Sequence, residues 1–290
     1  MTAASQASAP AAAALVCLCG GTRYRHRHGP WHQPGTGVTY EILECVQCGL
    51  ARTTPPPYES ELDADIYQQL PYEAVTEREA EWRGFFEPIL SSARRHQPHG
   101  RFLDVGCGAG LLVRMAQEAG YDAWGVEINA RTAQHARDVL GLQVIHSDLA
   151  GSRFPDRHFD IVVLSHVLEH LSAPEQVFAE IRRVLAPGGI VIVEVPNMGG
   201  LQVALMRNQW SGWMPNMHVW QFTPRSLAAT LRRLGLSPVE IRARDNIHVG
   251  SPTHPLKRIF RKTVFRAVEW VASALNRSDK ILAVSRRTEP

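Results

Sequence analysis

The sequence predicts an α/β protein built on a doubly wound, seven-stranded, mostly parallel sheet, with a small cysteine-bearing module ahead of it. Short apolar runs at 101–105, 122–128, 143–146, 159–165 and 190–195 alternate with helical patterns, as parallel strands joined by crossover helices require. Further runs at 237–243 and 280–286 bring the strand count to seven. Three glycines at alternate positions follow the first run, and four of the five cysteines gather before residue 50.

Arg101 to Val105 reads as a buried strand, and Gly106, Gly108 and Gly110 follow before a helical pattern opens at Leu111. Glycine lets backbone approach a ligand closely because no Cβ intervenes, and free N–H groups at a helix start favour polar or anionic groups. A nucleotide-like cofactor belongs at such a turn. The dinucleotide fingerprint G-x-G-x-x-G needs its third glycine where Leu111 stands, which disfavours a nicotinamide-dependent oxidoreductase. Here the run is G-x-G-x-G preceded by Asp104. It resembles the first motif of class I S-adenosylmethionine (SAM) dependent methyltransferases, and the resemblance covers residues 100–245 with its elements in the family's order. Leu185-Ala186-Pro187-Gly188-Gly189 before a strand, and His218 to Pro224 as H-x-x-x-F-T-P, resemble the same family.

That resemblance implies SAM as methyl donor, with Asp104, Gly106, Cys107, Gly108 and Gly110 around its methionine end. The second strand ends in Glu127 and Ile128; a carboxylate there can accept from both ribose hydroxyls, each bond contributing about 1.5–3 kcal/mol when desolvated. By the same resemblance Asp148 accepts from the adenine amino group and the Leu149 amide reaches a ring nitrogen, a turn aspartate being the plainer alternative. The fourth strand delivers Ser165, and the run from His166 to Leu171 leaves its carboxyl end, where ligands bind in open parallel sheets. The resemblance also pairs the last two strands antiparallel.

SAM carries its own electrophile, so the enzyme has to align a nucleophile and remove its proton if it is a hydroxyl. His218, His170 and His166 are the candidate bases, in that order, with Glu169 as an orienting group. A hydrogen-bonded structural histidine is the competing reading for each, because an imidazole serves both purposes. The expected acceptor is a hydroxyl or carboxyl on a small molecule, sugar or glycolipid. The rival is an RNA base methyltransferase, since zinc ribbons and basic surface also precede such domains; the absence of an aromatic RNA-binding motif makes nucleic acid the weaker partner.

Cys17 and Cys19 precede Gly20, and Cys45 and Cys48 precede Gly49. Two close pairs on tight turns suit a structural Zn(2+) held by four thiolates, which would fold a module with few apolar residues. Cys17-Leu18-Cys19 has one intervening residue instead of two, so His26, His28 or His32 is an alternative fourth ligand. The resemblance here is to cysteine modules found ahead of many bacterial methyltransferases. Residues 17–57 form this module and its proline-rich linker; 58–99 follow as an N-terminal segment with an acidic, aromatic-containing stretch at 58–72, which in similar enzymes lies over the cofactor, and a helix over 73–95; 100–290 form the main domain.

The 290 residues, 44% hydrophobic and 20% charged, can bury a core for one α/β domain of about 180–200 residues plus additions. No apolar run reaches the roughly 20 residues of a membrane span. Residues 1–16 are rich in Ala and Ser without an early Lys or Arg and read as a disordered tail, so a cytoplasmic location is the default expectation. Net charge is −6 over 1–224 and +9 over 225–290. Two insertions stand out. Gly199 to Thr223 holds Trp210, Trp213, Met214, Met217, Trp220 and Phe222, which predicts a substrate lid, with a satellite hydrophobic cluster as the alternative. Residues 250–278 hold an amphipathic helix over 256–275 that docks on its own domain or a second subunit, or lays its basic face on a membrane surface or a lipid-linked acceptor.

Overall fold

A computed structural model describes residues 15–33, 35–57, 78–244 and 270–288. The acidic stretch 58–72 and residues 256–269 of the amphipathic segment lie outside the described residues, as does the tail before residue 15. No helix among the described residues is long and apolar enough to cross a membrane.

The chain first forms β1 (Tyr24–His32), β2 (Thr39–Cys45) and β3 (Ala51–Thr54), then α1 (Glu79–His96). The main domain continues as β4 (Arg101–Val105), α2 (Leu111–Glu118), β5 (Asp122–Glu127), α3 (Ala130–Gln134), β6 (Val144–His146) and β7 (Phe159–Ser165). There follow α4 (Pro174–Val184), β8 (Leu185–Pro196), α5 (Leu201–Met206), β9 (Trp220–Gln221), α6 (Pro224–Arg233), β10 (Leu236–Arg244) and β11 (Lys280–Arg287). The large sheet runs β10-β11-β8-β7-β4-β5-β6. β4 to β8 are parallel, and β11 is antiparallel to both β8 and β10.

Alternation of apolar side chains sends each strand into two cores, as expected for a sheet covered on both faces. Ile161 and Val163 of β7, with Ile190 and Ile192 of β8, pack on α1, α2 and α3 through Ile89, Leu112 and Ala133. Val162, Leu164, Val191 and Val193 pack on α4 and α6 through Phe178, Ile181, Leu227 and Leu231. Helix α6 starts where the sequence places it: Thr223 accepts from the Ser226 amide and Ser226 returns the bond, a reciprocal cap.

Three local expectations shift. The helix expected over 130–140 is α-helical only to Gln134 and widens into a π turn over His135–Val139. β8 starts at Leu185, ahead of the predicted Pro-Gly-Gly turn, because Leu185 already pairs with Phe159. The insertion after β8 does not stand apart as a lid. Its strand β9 pairs antiparallel with β3, Ala51 opposite Gln221 and Arg52 opposite Trp220, and so completes a four-stranded sheet β1-β2-β3-β9. Trp210 and Trp213 meet edge to face at 5.1 Å and are buried with Ile42, Ala51, Met198 and Val203. The satellite cluster is realised, and it ties the cysteine module to the main domain.

Trp213 is 1% exposed and its Nε1 donates to the Arg207 carbonyl at 2.8 Å. Trp213→Ala should cost about 3–5 kcal/mol, the range for truncating a buried aromatic, read as a lower urea midpoint. A change under about 1 kcal/mol, the level of a surface substitution, would show that this cluster does not hold the two sheets together.

Candidate functional site

The turn after β4 holds Gly106, Gly108 and Gly110 at φ of +71°, +53° and +81°, a region that costs other L-residues about 1–2 kcal/mol. A Cβ on Gly106 would lie 2.7 Å from Val167 Cγ2, and one on Gly110 would lie 2.5 Å from Leu142 Cδ1. On Gly108 it would meet nothing within 4 Å. A side chain at either outer glycine would press on an apolar neighbour, and the middle one opens onto a hollow.

Glu127 closes the turn. Its Oε2 accepts from the Gly108 amide and its Oε1 from the Asn129 amide, both at 2.8 Å. Each carboxylate oxygen keeps a lone pair for a further donor. Asp104 lies buried beside it, and burial followed by the Glu127 charge holds its carboxyl well above the usual range. Cys107 turns into the core against Gly125 and supplies the turn with backbone.

Two cavities meet at Gly106. One of about 370 Å³ is lined by Asp104, Gly108, Ser165 and His166 on one side and by Trp82, Phe85 and Phe86 of α1 on the other. The second, about 230 Å³, is lined by Ile128, Asp148, Leu149 and Val167. Ile128 is 50% exposed at its mouth, an apolar face without cover. Asp148 spends Oδ1 on the Gly151 amide at 2.6 Å, so the turn role is real and leaves its other oxygen for a ligand.

The three histidines separate. His166 lines the larger cavity at φ +56°, a strained setting that such sites recurrently use. Its Nδ1 lies 2.9 Å from Glu169 Oε1. His170 and His218 are not among the residues lining that cavity. Their rings meet edge to face at 4.7 Å, and their Nδ1 atoms face the Met217 and Gly212 carbonyls at 3.1 and 2.9 Å. Of the three, it is His166, the last expected, that lines this cavity. Burial holds all three imidazoles below their ordinary value, His166 at about 3 and His218 at about 4.

Glu194, Lys280 and Arg244 were not expected at the site. Glu194 is fully buried in β8; Arg244 Nε donates to its Oε2. Lys280 lines the larger cavity, with Nζ 3.8 Å from Glu194 Oε1. Burial outweighs that carboxylate and brings the Lys280 amine down to about 8. A charge inside the apolar run Ile190 to Val195 was the available signal, since a lone acid there needs a partner.

In the module, Cys17 Sγ lies 3.6 Å from Cys48 Sγ and Cys19 Sγ 3.6 Å from Cys45 Sγ, and all four sulfurs fall within 4.8 Å of one another. A tetrahedral zinc with bonds of about 2.3 Å sets sulfur separations of about 3.8 Å. The donor set fits. None of the four is disulfide-bonded. The histidine alternative is not taken up by His28 or His32, which face Asn208 and Thr39.

Residues 75–241, more than half of the chain, match the family described as a methyltransferase domain. The chain belongs to that family. Over 154 residues this methyltransferase domain is 30% identical to the ubiquinone biosynthesis O-methyltransferase of Cereibacter sphaeroides, covering 48% of this chain and 61% of that one. The chain therefore spans less than two thirds of that curated relative's length. The solved PH0226 protein of Pyrococcus horikoshii superposes at a TM-score of 0.54 and 17% identity, covering 78% of this chain and 99% of that one. The 1,6-didemethyltoxoflavin N1-methyltransferase of Burkholderia thailandensis does so at 0.51 and 15%, covering 90% and 99%. At these identities the likeness is one of fold.

The buried imidazoles have a consequence for acid stability. Unfolded, each titrates near about 6.5, so the unfolded chain binds protons first as pH falls. The stability these neutral groups confer is full above that pH and is lost as pH drops towards the folded value of about 4 for His218. His218→Asn keeps a donor for the Gly212 carbonyl and removes one titrating group. Its urea midpoint should fall less steeply than the native protein's below about pH 6.5; an unchanged slope contradicts the assignment.

Proposed function

We propose that this chain transfers a methyl group from SAM to an oxygen of a small-molecule acceptor. The observation that carries the reading is the open hollow at Gly108, closed on one side by a carboxylate that already accepts the turn's own amide. In this reading Asp104, Gly106, Cys107, Gly108, Gly110 and Ser165 surround the methionine end of the donor. Glu127 accepts from the ribose, and Ile128, Asp148 and Leu149 take the adenine in the smaller cavity. When bound, SAM supplies a methyl on a sulfonium, whose carbon–sulfur bonding pair stays with sulfur on transfer.

His166 is the base in this reading. Glu169 Oε1 fixes the Nδ1–H tautomer, and Nε2, buried 3.7 Å from Glu194 Oε1 without a hydrogen-bond partner, keeps the lone pair for an acceptor hydroxyl's proton. Burial keeps this imidazole neutral and lowers its proton affinity, so it takes the proton only as methyl transfer proceeds and passes it on to solvent. His170 and His218 brace the loop behind it through backbone carbonyls and do not touch the acceptor. Sugar and glycolipid hydroxyls remain within the proposed acceptor class, and the oxygen-methylating name of the Cereibacter relative supports an oxygen nucleophile.

We further propose that Cys17, Cys19, Cys45 and Cys48 hold a structural zinc. Its role is to fasten the module whose β3 pairs with β9. Elemental analysis should find one zinc per chain, and chelation should lower the thermal midpoint. A metal-free protein of unchanged stability contradicts this part of the reading.

Calorimetry with SAM tests the donor site. Glu127→Gln removes the charged acceptor and should weaken binding by about 10- to 100-fold, the equivalent of about 1.5–3 kcal/mol. A folded native protein that fails to bind SAM would overturn the proposed activity.

A further inference from the structure

Lys280 stands at the first position of β11, at the wall of the larger cavity. Its side chain is 4% exposed, and Nζ, one of the buried polar atoms without a hydrogen-bond partner, lies 3.3 Å from the centroid of the Phe85 ring. A buried ammonium without a hydrogen-bonding partner is costly to maintain. Its nearest carboxylate, Glu194, is shared with Arg244. That carboxylate is matched by Arg244, whose Nε donates to Oε2 while its second amino group reaches the Phe85 carbonyl at 2.9 Å. Lys280 is then a second cation beside one carboxylate, at a distance of 3.8 Å that is too long for a direct hydrogen bond. Asp279 accepts from Trp210 Nε1 at 2.9 Å and Glu169 faces His166 Nδ1, so both carboxylates act on the Lys280 amine through space and neither bonds it.

Three aromatic rings of α1 line the same cavity, Phe85 directly against the Lys280 amine. Trp82, Phe85 and Phe86 form a cluster with ring centroids 5.0–6.2 Å apart, and Phe85 lies 5.8 Å from the His166 ring. An ammonium without a hydrogen-bond partner, a neutral imidazole and an aromatic cluster share one cavity of about 370 Å³.

We propose that Lys280 receives the acceptor's oxyanion, and that the acceptor is a flat ring carrying an acidic oxygen, packed among Trp82, Phe85 and Phe86. This rests on the methyl-transfer reading above and adds the acceptor's chemistry to it. The acceptor's oxygen lone pair forms the new carbon–oxygen bond as the donor's carbon–sulfur pair withdraws to sulfur, leaving a neutral thioether. For a phenol or enol the proton goes to Nε2 of His166 and then to solvent, while Lys280 holds the negative charge that develops on oxygen. A ring carboxylate arrives already ionised and uses Lys280 alone.

Three chromogenic probes separate the cases: 4-nitrophenol, 4-nitrobenzoate and uncharged 4-nitroanisole, titrated near neutral pH into the full chain with S-adenosylhomocysteine present. An anionic probe should bind about tenfold or more tightly than nitroanisole, and nitrophenol's ionisation, read from its absorbance, should be favoured by about one pKa unit on binding. Lys280→Met should abolish the preference, with nitroanisole affinity unchanged, and Lys280→Arg should retain most of it. Preference for nitrophenolate identifies a phenolic or enolic oxygen, and preference for nitrobenzoate a carboxylate; either supports the proposal. Equal affinity for all three probes, or a preference that survives Lys280→Met in a variant that still binds S-adenosylhomocysteine, overturns it. Retained nucleoside binding with no anion preference removes this inference alone, whereas loss of nucleoside binding in the native protein removes the methyl-transfer reading.

Discussion

The site depends on one carboxylate bonded to two backbone amides. Glu127 ends β5, and through Gly108 and Asn129 it ties the turn after β4 to the start of α3. The parallel pairing that sets Val105 opposite Val126 brings these two strand ends side by side. A charged acceptor in a buried setting is worth about twice a neutral one, so Glu127 adds the strongest single bond to a glycine turn whose Gly106, Cys107 and Gly110 amides already donate to the Val126 and Cys107 carbonyls. The same carboxylate raises the proton affinity of Asp104 beneath it. Stabilising the turn and presenting polar atoms to a ligand are thus one structural act.

A second constraint sits across the cavity. Glu194 within β8 is enclosed on every side, and three groups from separate parts of the chain converge on it: Arg244 from β10, Lys280 from β11 and His166 from the turn after β7. β11 runs antiparallel to its neighbours, and its register puts Lys280 opposite Pro196 and Arg244. A parallel strand would have sent the amine to the other edge of the sheet. The reversed last strand therefore has a chemical consequence: it delivers a cation to the edge where the parallel strands end.

Much of this was legible in the sequence. β4, β7 and α2 begin where periodicity and glycine place them, because buried parallel strands read as apolar runs with abrupt polar ends. The glycine turn and Glu127 were recognisable for the same reason, since the residues that define them are local. Contacts set by distant pairing were not legible. Nothing near Ala51 announces Gln221 as its partner, so the tryptophan-rich insertion read as a lid. Chain position placed the three histidines at one sheet edge but left open which imidazole enters the cavity. The left-handed backbone at His166 decides that, and no residue type reports it. Lys280 gave no signal of its own, as a lysine at a strand's first residue is ordinarily a solvated charge.

The central claim is that the hollow between the glycine turn and Glu127 is the donor's place. Crystallisation of the full chain with S-adenosylhomocysteine tests it most directly. The account requires density at Gly108 with both ribose oxygens within hydrogen-bonding reach of Glu127 and the base between Ile128 and Leu149. Nucleoside density at any other surface, or an empty hollow at saturating ligand, would contradict it.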